Sequence, residues 1–172
     1  MSDRRLFFAL WPSDRQRELL RDTLRPVLTS VEGDTVDRRN WHVTLVFIGA
    51  FPDEQIPFLQ AAARELDDLD NLEIRLRFDR LVYWQRPRIA CLQPLTIPPP
   101  LAVLVGKLQA LLAAFDIEPD DRVYRPHITV ARRARVFDDV ILSRPVDLEW
   151  NGFELVESTT GPSGIAYRPL KQ

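Results

Sequence analysis

One short pattern occurs once in each half of the chain: a histidine followed two residues later by a threonine, within an apolar run. The first copy is His42-Val43-Thr44-Leu45 and the second is His127-Ile128-Thr129-Val130, and they contain both histidines of the chain. Alternate side chains of a strand point to the same face. The pattern therefore predicts two matched strands, each with a histidine beside a threonine on one face and a core residue between them.

The surrounding sequence predicts alternating strands and helices, which is typical of an α+β protein. Ser13 and Gln16 have the spacing of a capping box, which predicts a helix over Asp14–Leu28 after a first strand over Arg4–Trp11. The order strand, helix, histidine-bearing strand occurs twice and indicates a loose repeat of two lobes. The other predicted elements are strands at 41–48, 72–78, 88–92, 126–131, 146–156 and 165–170, and helices at 53–66 and 101–115.

Length and composition indicate an ordinary globular protein. The chain has 172 residues, of which 45% are hydrophobic and 28% charged, enough to bury a core without disulfides or a structural metal. Its apolar runs are too short to cross a bilayer, and its first residues lack the apolar segment of a signal peptide. Cys91 is the single cysteine, so no intrachain disulfide is possible. We therefore expect a cytoplasmic protein, with Cys91 buried.

The charge balance argues against a protein that coats a nucleic acid duplex. The net charge is -2, whereas duplex binding usually needs a basic excess. A protein that grips one nucleic acid end or a single phosphate needs only a few local cations, and the forked guanidinium of arginine suits that task. Two histidines without a third clustered ligand make a poor zinc site, and no glycine-rich phosphate loop is present. We expect no metal and no cofactor.

An imidazole beside a hydroxyl is a reasonable half-site for a phosphate. The hydroxyl can donate to a non-bridging oxygen, and the imidazole can give or take a proton near neutral pH. Two such half-sites facing each other would place an acid and a base on opposite sides of phosphorus. In-line displacement at phosphorus needs that arrangement. The alternative for either histidine alone is an ordinary core residue.

With their flanks, the two motifs resemble the 2H phosphoesterase superfamily, and within it the bacterial and archaeal RNA 2′,3′-cyclic phosphodiesterases, historically called 2′-5′ RNA ligases. The resemblance covers nearly the whole chain. It implies a single domain over residues 1–172, with an α+β bilobal fold. Each of two pseudo-symmetric lobes would have an antiparallel sheet with helices outside, and an active cleft would lie between the sheets. The segments that carry the resemblance are 5–10, 41–45, 47–49, 125–132, 153–158 and 164–167.

The resemblance also implies an activity, namely metal-independent hydrolysis of an RNA 2′,3′-cyclic phosphate to a 2′-phosphate. His42 would be the general acid on the departing 3′ oxygen and His127 the general base for water, although either histidine could fill either role. Thr44 and Thr129 would hold the non-bridging oxygens. Arg132 would face the phosphate.

Two further expectations concern the cleft. Arg132 lies five residues after His127, and an odd offset directs it to the opposite strand face unless the strand ends or bulges first. Trp84 and Trp11 are candidates for stacking on the terminal base, which tolerates any base. The alternative for both tryptophans is simple packing.

Three readings of the function stay open at this point. The first is the cyclic phosphodiesterase. The second is the same fold acting on another substrate, such as a 2′-5′ linked RNA, as phosphodiesterase or ligase, or ADP-ribose 1″,2″-cyclic phosphate. The third is a non-catalytic module that binds an RNA end or a nucleotide. In each case the expected partners are RNA 3′ ends or small cyclic nucleotides, with no metal and no membrane, and we expect a monomer.

Overall fold

Nine strands form two antiparallel sheets in the computed structural model, which describes residues 2–66 and 71–171. The first sheet has β1 (Asp3–Leu10), β3 (Val43–Pro52), β8 (Glu154–Gly161) and β9 (Gly164–Pro169), in the order β3-β1-β8-β9. The second has β2 (Asp34–Thr35), β4 (Ile74–Trp84), β5 (Ile89–Pro94), β6 (Ile128–Arg132) and β7 (Val140–Trp150), in the order β2-β6-β5-β4-β7.

Three helices accompany the sheets in the described part of the chain, and the first has the predicted bounds. It is α1 (Asp14–Leu28), and its capping box is complete: the Gln16 amide donates to Ser13 Oγ, and the Ser13 amide donates to Gln16 Oε1. The others are α2 (Ile56–Arg64) and α3 (Pro99–Ala113). Prolines occupy the first turns of both, where a missing N–H costs nothing. None of these helices has both the length and the apolar character needed to cross a membrane.

The single strand predicted over 146–156 is wrong. The chain instead completes β7 at Trp150, passes through an irregular Asn151-Gly152 segment and begins β8 at Glu154 in the other sheet. Apolar alternation continues on both sides of the break, but Asn-Gly is a strong turn signal. Likewise, the predicted helix at 53–66 starts as a short 3-10 turn at Asp53–Gln55 before α2 begins.

The main core joins the two lobes. Strand β1 directs Leu6, Phe8 and Leu10 into a cluster that also contains residues of the second sheet and of all three helices. Helices from one half of the chain pack against strands from the other half: α1 packs against β7, and α3 packs against β3. Strands are exchanged as well: β8 and β9, from the second half of the chain, complete the first sheet, and β2, from the first half, joins the second sheet. The two-lobe repeat is therefore present, but neither lobe is built from one half of the chain.

A second, smaller apolar layer lies on the opposite face of each sheet. On the first sheet it consists of Phe7, Ala9 and Val156, and on the second of Val82, Ile89 and Cys91. Cys91 is fully buried there, as expected. Trp11 and Tyr167 pack on the first cluster and Trp84 packs on the second. These two clusters form the floor of the cleft: His42 lies against Phe7 of the first cluster, and His127 lies against Trp84, which packs on the second.

Replacing Ser13 with alanine removes the acceptor of the first bond of the capping box, and we expect the free energy of unfolding to fall by about 1 kcal/mol. Urea denaturation followed by circular dichroism measures the change. The control is Ser143→Ala, because Ser143 is exposed on β7 and caps no helix. Equal stability of the two variants would contradict the prediction.

Candidate active site

A backbone carbonyl two residues upstream fixes each histidine. His42 Nδ1–H donates to the carbonyl oxygen of Asn40 at 2.7 Å, and His127 Nδ1–H donates to that of Arg125 at 2.9 Å. A carbonyl oxygen can only accept, so each neutral imidazole carries its hydrogen on Nδ1 and a lone pair on Nε2. In the first half-site, His42 Nε2 accepts a hydrogen bond from the Thr44 hydroxyl at 3.0 Å. Nε2 is therefore the nitrogen available for chemistry in both half-sites.

Aromatic rings enclose His42. Its ring centroid lies 4.8 Å from that of Phe7, 6.0 Å from that of Trp11 and 4.9 Å from that of Tyr167. Phe7 and Tyr167 also meet edge to face, with centroids 5.4 Å apart. The motif brings His42 and Thr44 side by side as the spacing predicts. The enclosure, which involves residues distant in sequence, is evident only in the structure.

Burial lowers the pKa of both imidazoles. The pKa of His42 falls to about 4 because burial disfavours the charged form; the bond to Asn40 offsets part of this, and the positive charges of His127, Arg132 and Arg17 lower it further. The pKa of His127 is lowered by burial, and by Arg125 and Arg132. Both imidazoles are therefore neutral at pH 7 in the free protein. Arg132 acts on both histidines and His127 acts on His42, so the three side chains lie near one another.

A bulge in β6 brings Arg132 to the cleft. Thr129 and Ala131 pair with adjacent residues of β5, so Val130 is an extra residue in the strand. Val130 and Ala131 consequently both point into the main core. Arg132 then returns to the cleft face, where its Nη2 donates to the Tyr167 hydroxyl at 3.0 Å. The bulge that the odd offset requires is therefore present.

A bulge in β3 has the same effect on the residues after Thr44. Leu45 is the extra residue, because Thr44 and Val46 pair with adjacent residues of β1. Leu45 and Val46 both enter the core, and Phe47 emerges opposite Phe7 with 65% of its surface exposed. The fifth residue after each histidine thus faces the cleft. Sequence reasoning missed Phe47, although its spacing from His42 matches that of Arg132 from His127.

Each candidate tryptophan lies in one half-site and is covered by an arginine. The Trp84 ring is 4.2 Å from the His127 ring, and the Arg125 guanidinium lies 4.2 Å from its centroid. Trp11 stacks near His42, and the Arg17 guanidinium lies 4.8 Å from its centroid. Both tryptophans are where a substrate base could meet them, and base stacking remains a prediction for both.

Arg17 is a site residue that sequence reasoning missed. Although it is only 7% exposed, it has no carboxylate partner among the described residues. Its guanidinium donates instead to the carbonyl oxygens of Pro12, Arg38 and Trp41, the last two at 2.9 Å and 3.2 Å. These bonds fix the segment that leads into His42. Nothing in the sequence separates this arginine from the many others.

The arginines near the cleft form no ion pair in the part of the chain that the structure describes. Within residues 2–66 and 71–171, no carboxylate lies within ion-pair distance of Arg17, Arg125 or Arg132, whereas Arg4 and Arg168 outside the cleft both pair with acidic residues. Unpaired arginines favour an anion between the sheets. In the same part of the chain, no cluster of three or more histidine, cysteine or acidic side chains is arranged to hold a metal ion.

Comparison with known proteins agrees with this fold. The family described as LigT-like phosphoesterases matches residues 10–91, which contain the first histidine motif. This match and the relatives below agree with the resemblance to 2H phosphoesterases that the sequence carries. The resemblance inferred from the sequence is confirmed, as is the fold of two antiparallel sheets that it implied.

The relatives include proteins of two bacteria. The RNA 2′,3′-cyclic phosphodiesterase of Thermus thermophilus is 29% identical over 180 residues, covering 98% of this chain and 88% of that protein. The crystal structure of Escherichia coli LigT in complex with 3′-AMP is 25% identical, with a TM-score of 0.87, and covers 98% of this chain and 96% of that chain. A crystal structure from Thermus thermophilus is 26% identical, with a TM-score of 0.78, and covers 97% of this chain and 95% of that chain.

The lowered pKa of His42 makes stability depend on pH. Its pKa is 6.5 when unfolded and about 4 when folded, so the unfolded state binds more protons between these values. The contribution is constant above pH 6.5, and the free energy of unfolding falls as the pH drops from 6.5 to about 4, by about 3 kcal/mol from this residue. Denaturation curves of the wild type and His42→Gln over this range measure it. Glutamine does not titrate, so equal pH dependence in both proteins would contradict the prediction.

Proposed function

We propose that this protein hydrolyses RNA 2′,3′-cyclic phosphate ends to 2′-phosphates without a metal ion. One observation carries the proposal: two imidazoles present Nε2 to one positively charged cleft, and Arg132 lies close enough to influence both. A cyclic phosphodiester needs a base to activate water, an acid to protonate the leaving oxygen and a cation to balance charge at phosphorus. The Thermus relative, which is named an RNA 2′,3′-cyclic phosphodiesterase, supports the choice of substrate.

His127 acts as the general base and His42 as the general acid. His127 Nε2 takes a proton from water, whose oxygen bonds to phosphorus. The bond from phosphorus to the ribose 3′ oxygen breaks, and His42 Nε2 gives its proton to that oxygen. The products are a 3′ hydroxyl and a 2′-phosphate, and exchange with solvent then returns both imidazoles to their starting states. Arg132, Thr44 and Thr129 hold the non-bridging oxygens.

Substrate binding lets His42 take up the proton that it needs from solvent. In the free protein, His42 is kept neutral by burial and by the cations around it. A bound phosphodiester adds a negative charge beside Arg132 and offsets that field, which raises the pKa of His42. Once Nε2 is protonated it no longer accepts from the Thr44 hydroxyl, which is then free to donate to a phosphate oxygen.

Phe47 is the strongest candidate for stacking on the terminal base. It is the exposed aromatic residue of the cleft floor, next to Phe7, which in turn contacts His42. Exposure matters because a ring already covered on its faces cannot accept a base. Trp84 and Trp11 remain candidates that would have to displace Arg125 or Arg17.

The reaction is tested with a short RNA that ends in a 2′,3′-cyclic phosphate. In excess EDTA, the wild type should yield a 2′-phosphate, resolved from a 3′-phosphate by chromatography. His42→Ala and His127→Ala should each lose at least about a hundredfold in rate, because each removes a proton-transfer group. Ser143→Ala serves as the control and should retain wild-type activity.

Other outcomes identify the alternatives. Near-normal turnover in either histidine variant would contradict the two-histidine mechanism. Tight binding of the RNA end without turnover would favour a binding module. Turnover of 2′-5′ linked RNA or ADP-ribose 1″,2″-cyclic phosphate in place of the cyclic RNA end would keep the chemistry and change the substrate.

Replacing Phe47 with alanine should raise KM for the cyclic phosphate RNA about tenfold, because stacking on one base contributes about 1–3 kcal/mol. Phe47→Tyr should keep the wild-type KM, since it keeps the ring. The matched control is Phe58→Ala, because Phe58 is similarly exposed, at 68%, but lies on α2 outside the cleft. An unchanged KM in Phe47→Ala, with an increase in Trp84→Ala or Trp11→Ala, would assign the stacking to a tryptophan.

A further inference from the structure

Tyr167 connects the two half-sites. Its ring meets the His42 ring edge-on at 4.9 Å, and its hydroxyl accepts a hydrogen bond from Arg132 at 3.0 Å. Tyr167 lies on β9 in the first sheet, whereas Arg132 ends β6 in the second. One side chain therefore contacts the histidine of one half-site and the arginine of the other.

Asn40 fixes Tyr167 relative to His42. Its side-chain Nδ2 donates to the Ile165 carbonyl at 3.0 Å, and its Oδ1 accepts from the Tyr167 amide at 3.2 Å. The backbone carbonyl of the same asparagine accepts from His42 Nδ1–H. The position of β9, and with it the tyrosine, is thus tied to the residue that orients the imidazole.

A tyrosine suits this position better than a carboxylate would. Arg132 is exposed and has no acidic partner among the residues that the structure describes, so its long side chain would otherwise sample many rotamers. A carboxylate would hold it but would also neutralise the charge that a phosphate needs. The phenol hydroxyl restricts the arginine and leaves its charge available.

We propose that Tyr167 is a positioning residue of the phosphate site, whose hydroxyl orients Arg132 and whose ring shields His42 from water. It exchanges no proton with the substrate. The phosphate site is that of the proposed function, on which this inference rests. The contributions of the hydroxyl and of the ring can be separated, because Tyr167→Phe removes the hydroxyl alone and Tyr167→Leu removes both the hydroxyl and the aromatic ring.

The first experiment tests the hydroxyl. Binding of inorganic phosphate is measured by calorimetry for the wild type, Tyr167→Phe and the control Tyr83→Phe. Tyr83 is half-buried and packs against Phe137 and the main core, whereas Arg132 bonds to Tyr167. Tyr167→Phe should bind phosphate about fivefold more weakly, the effect of one hydrogen bond, and the control should match the wild type. Equal affinity of all three proteins would overturn the proposal.

The second experiment tests the ring by NMR titration of the histidines. The chain has two, so the imidazole signals are assigned with one variant, His127→Asn. The charged groups that act on His42 are His127, Arg132 and Arg17. Tyr167→Leu should raise the pKa of His42, because water gains access to the imidazole, and Tyr167→Phe should raise it less. A His42 pKa within about 0.3 of wild type in Tyr167→Leu would overturn the proposal.

Neither experiment needs turnover. Absence of hydrolysis in the wild type would overturn the proposed function, while phosphate affinity and the His42 titration would still decide the role of Tyr167. Where hydrolysis is observed, Tyr167→Phe should raise KM and change kcat little, whereas a purely structural defect would lower the amount of folded enzyme and leave KM unchanged.

Discussion

The cleft depends on one extra strand residue directly after the threonine of each histidine motif. With strict alternation, the fifth residue after each histidine would point into the core, and a charged Arg132 could not be buried there without a partner. The bulges at Leu45 and Val130 send two successive apolar residues into the core and return Phe47 and Arg132 to the cleft. Each histidine, its threonine and the fifth residue after the histidine thereby lie on the same face of their sheet. The core sets this geometry, because it must accept both apolar residues of each bulge.

The same packing that fixes His42 also sets its proton affinity. Phe7, Trp11 and Tyr167 exclude water from the imidazole, and nearby cations add to the cost of protonating it. A neutral histidine cannot act as a general acid, so under the proposed mechanism acid catalysis waits for an anion in the cleft. The free energy that disfavours the imidazolium in the free protein lowers stability below pH 6.5. Under the proposed mechanism, it also couples proton uptake to phosphate binding.

Local patterns could be predicted from the sequence, and long-range ones could not. The start of α1 follows from the capping box of Ser13 and Gln16, and the contact of His42 with Thr44 follows from strand periodicity. The family resemblance supplied the two sheets. The strand predicted over 146–156 failed because apolar alternation continues while the chain changes sheets at Asn151-Gly152. Arg17 and Tyr167 were missed because the contacts that place them at the site join residues far apart in the chain: Arg17 bonds to Arg38 and Trp41, and Tyr167 contacts His42 and Arg132.

The two half-sites share one frame but are not equivalent, and the difference agrees with a division of roles. Both imidazoles donate from Nδ1 to a carbonyl two residues upstream. In the first half-site, Nε2 is engaged by the Thr44 hydroxyl and the bulge presents an apolar ring. In the second, no described residue bonds to His127 Nε2, and the bulge presents a cation. A base needs an open lone pair to accept a proton from water, and under the proposed mechanism the half-site with Arg132 holds the phosphate that the water attacks. A base at His127 and an acid at His42, on the side of the ribose and base, therefore fit the asymmetry better than the reverse.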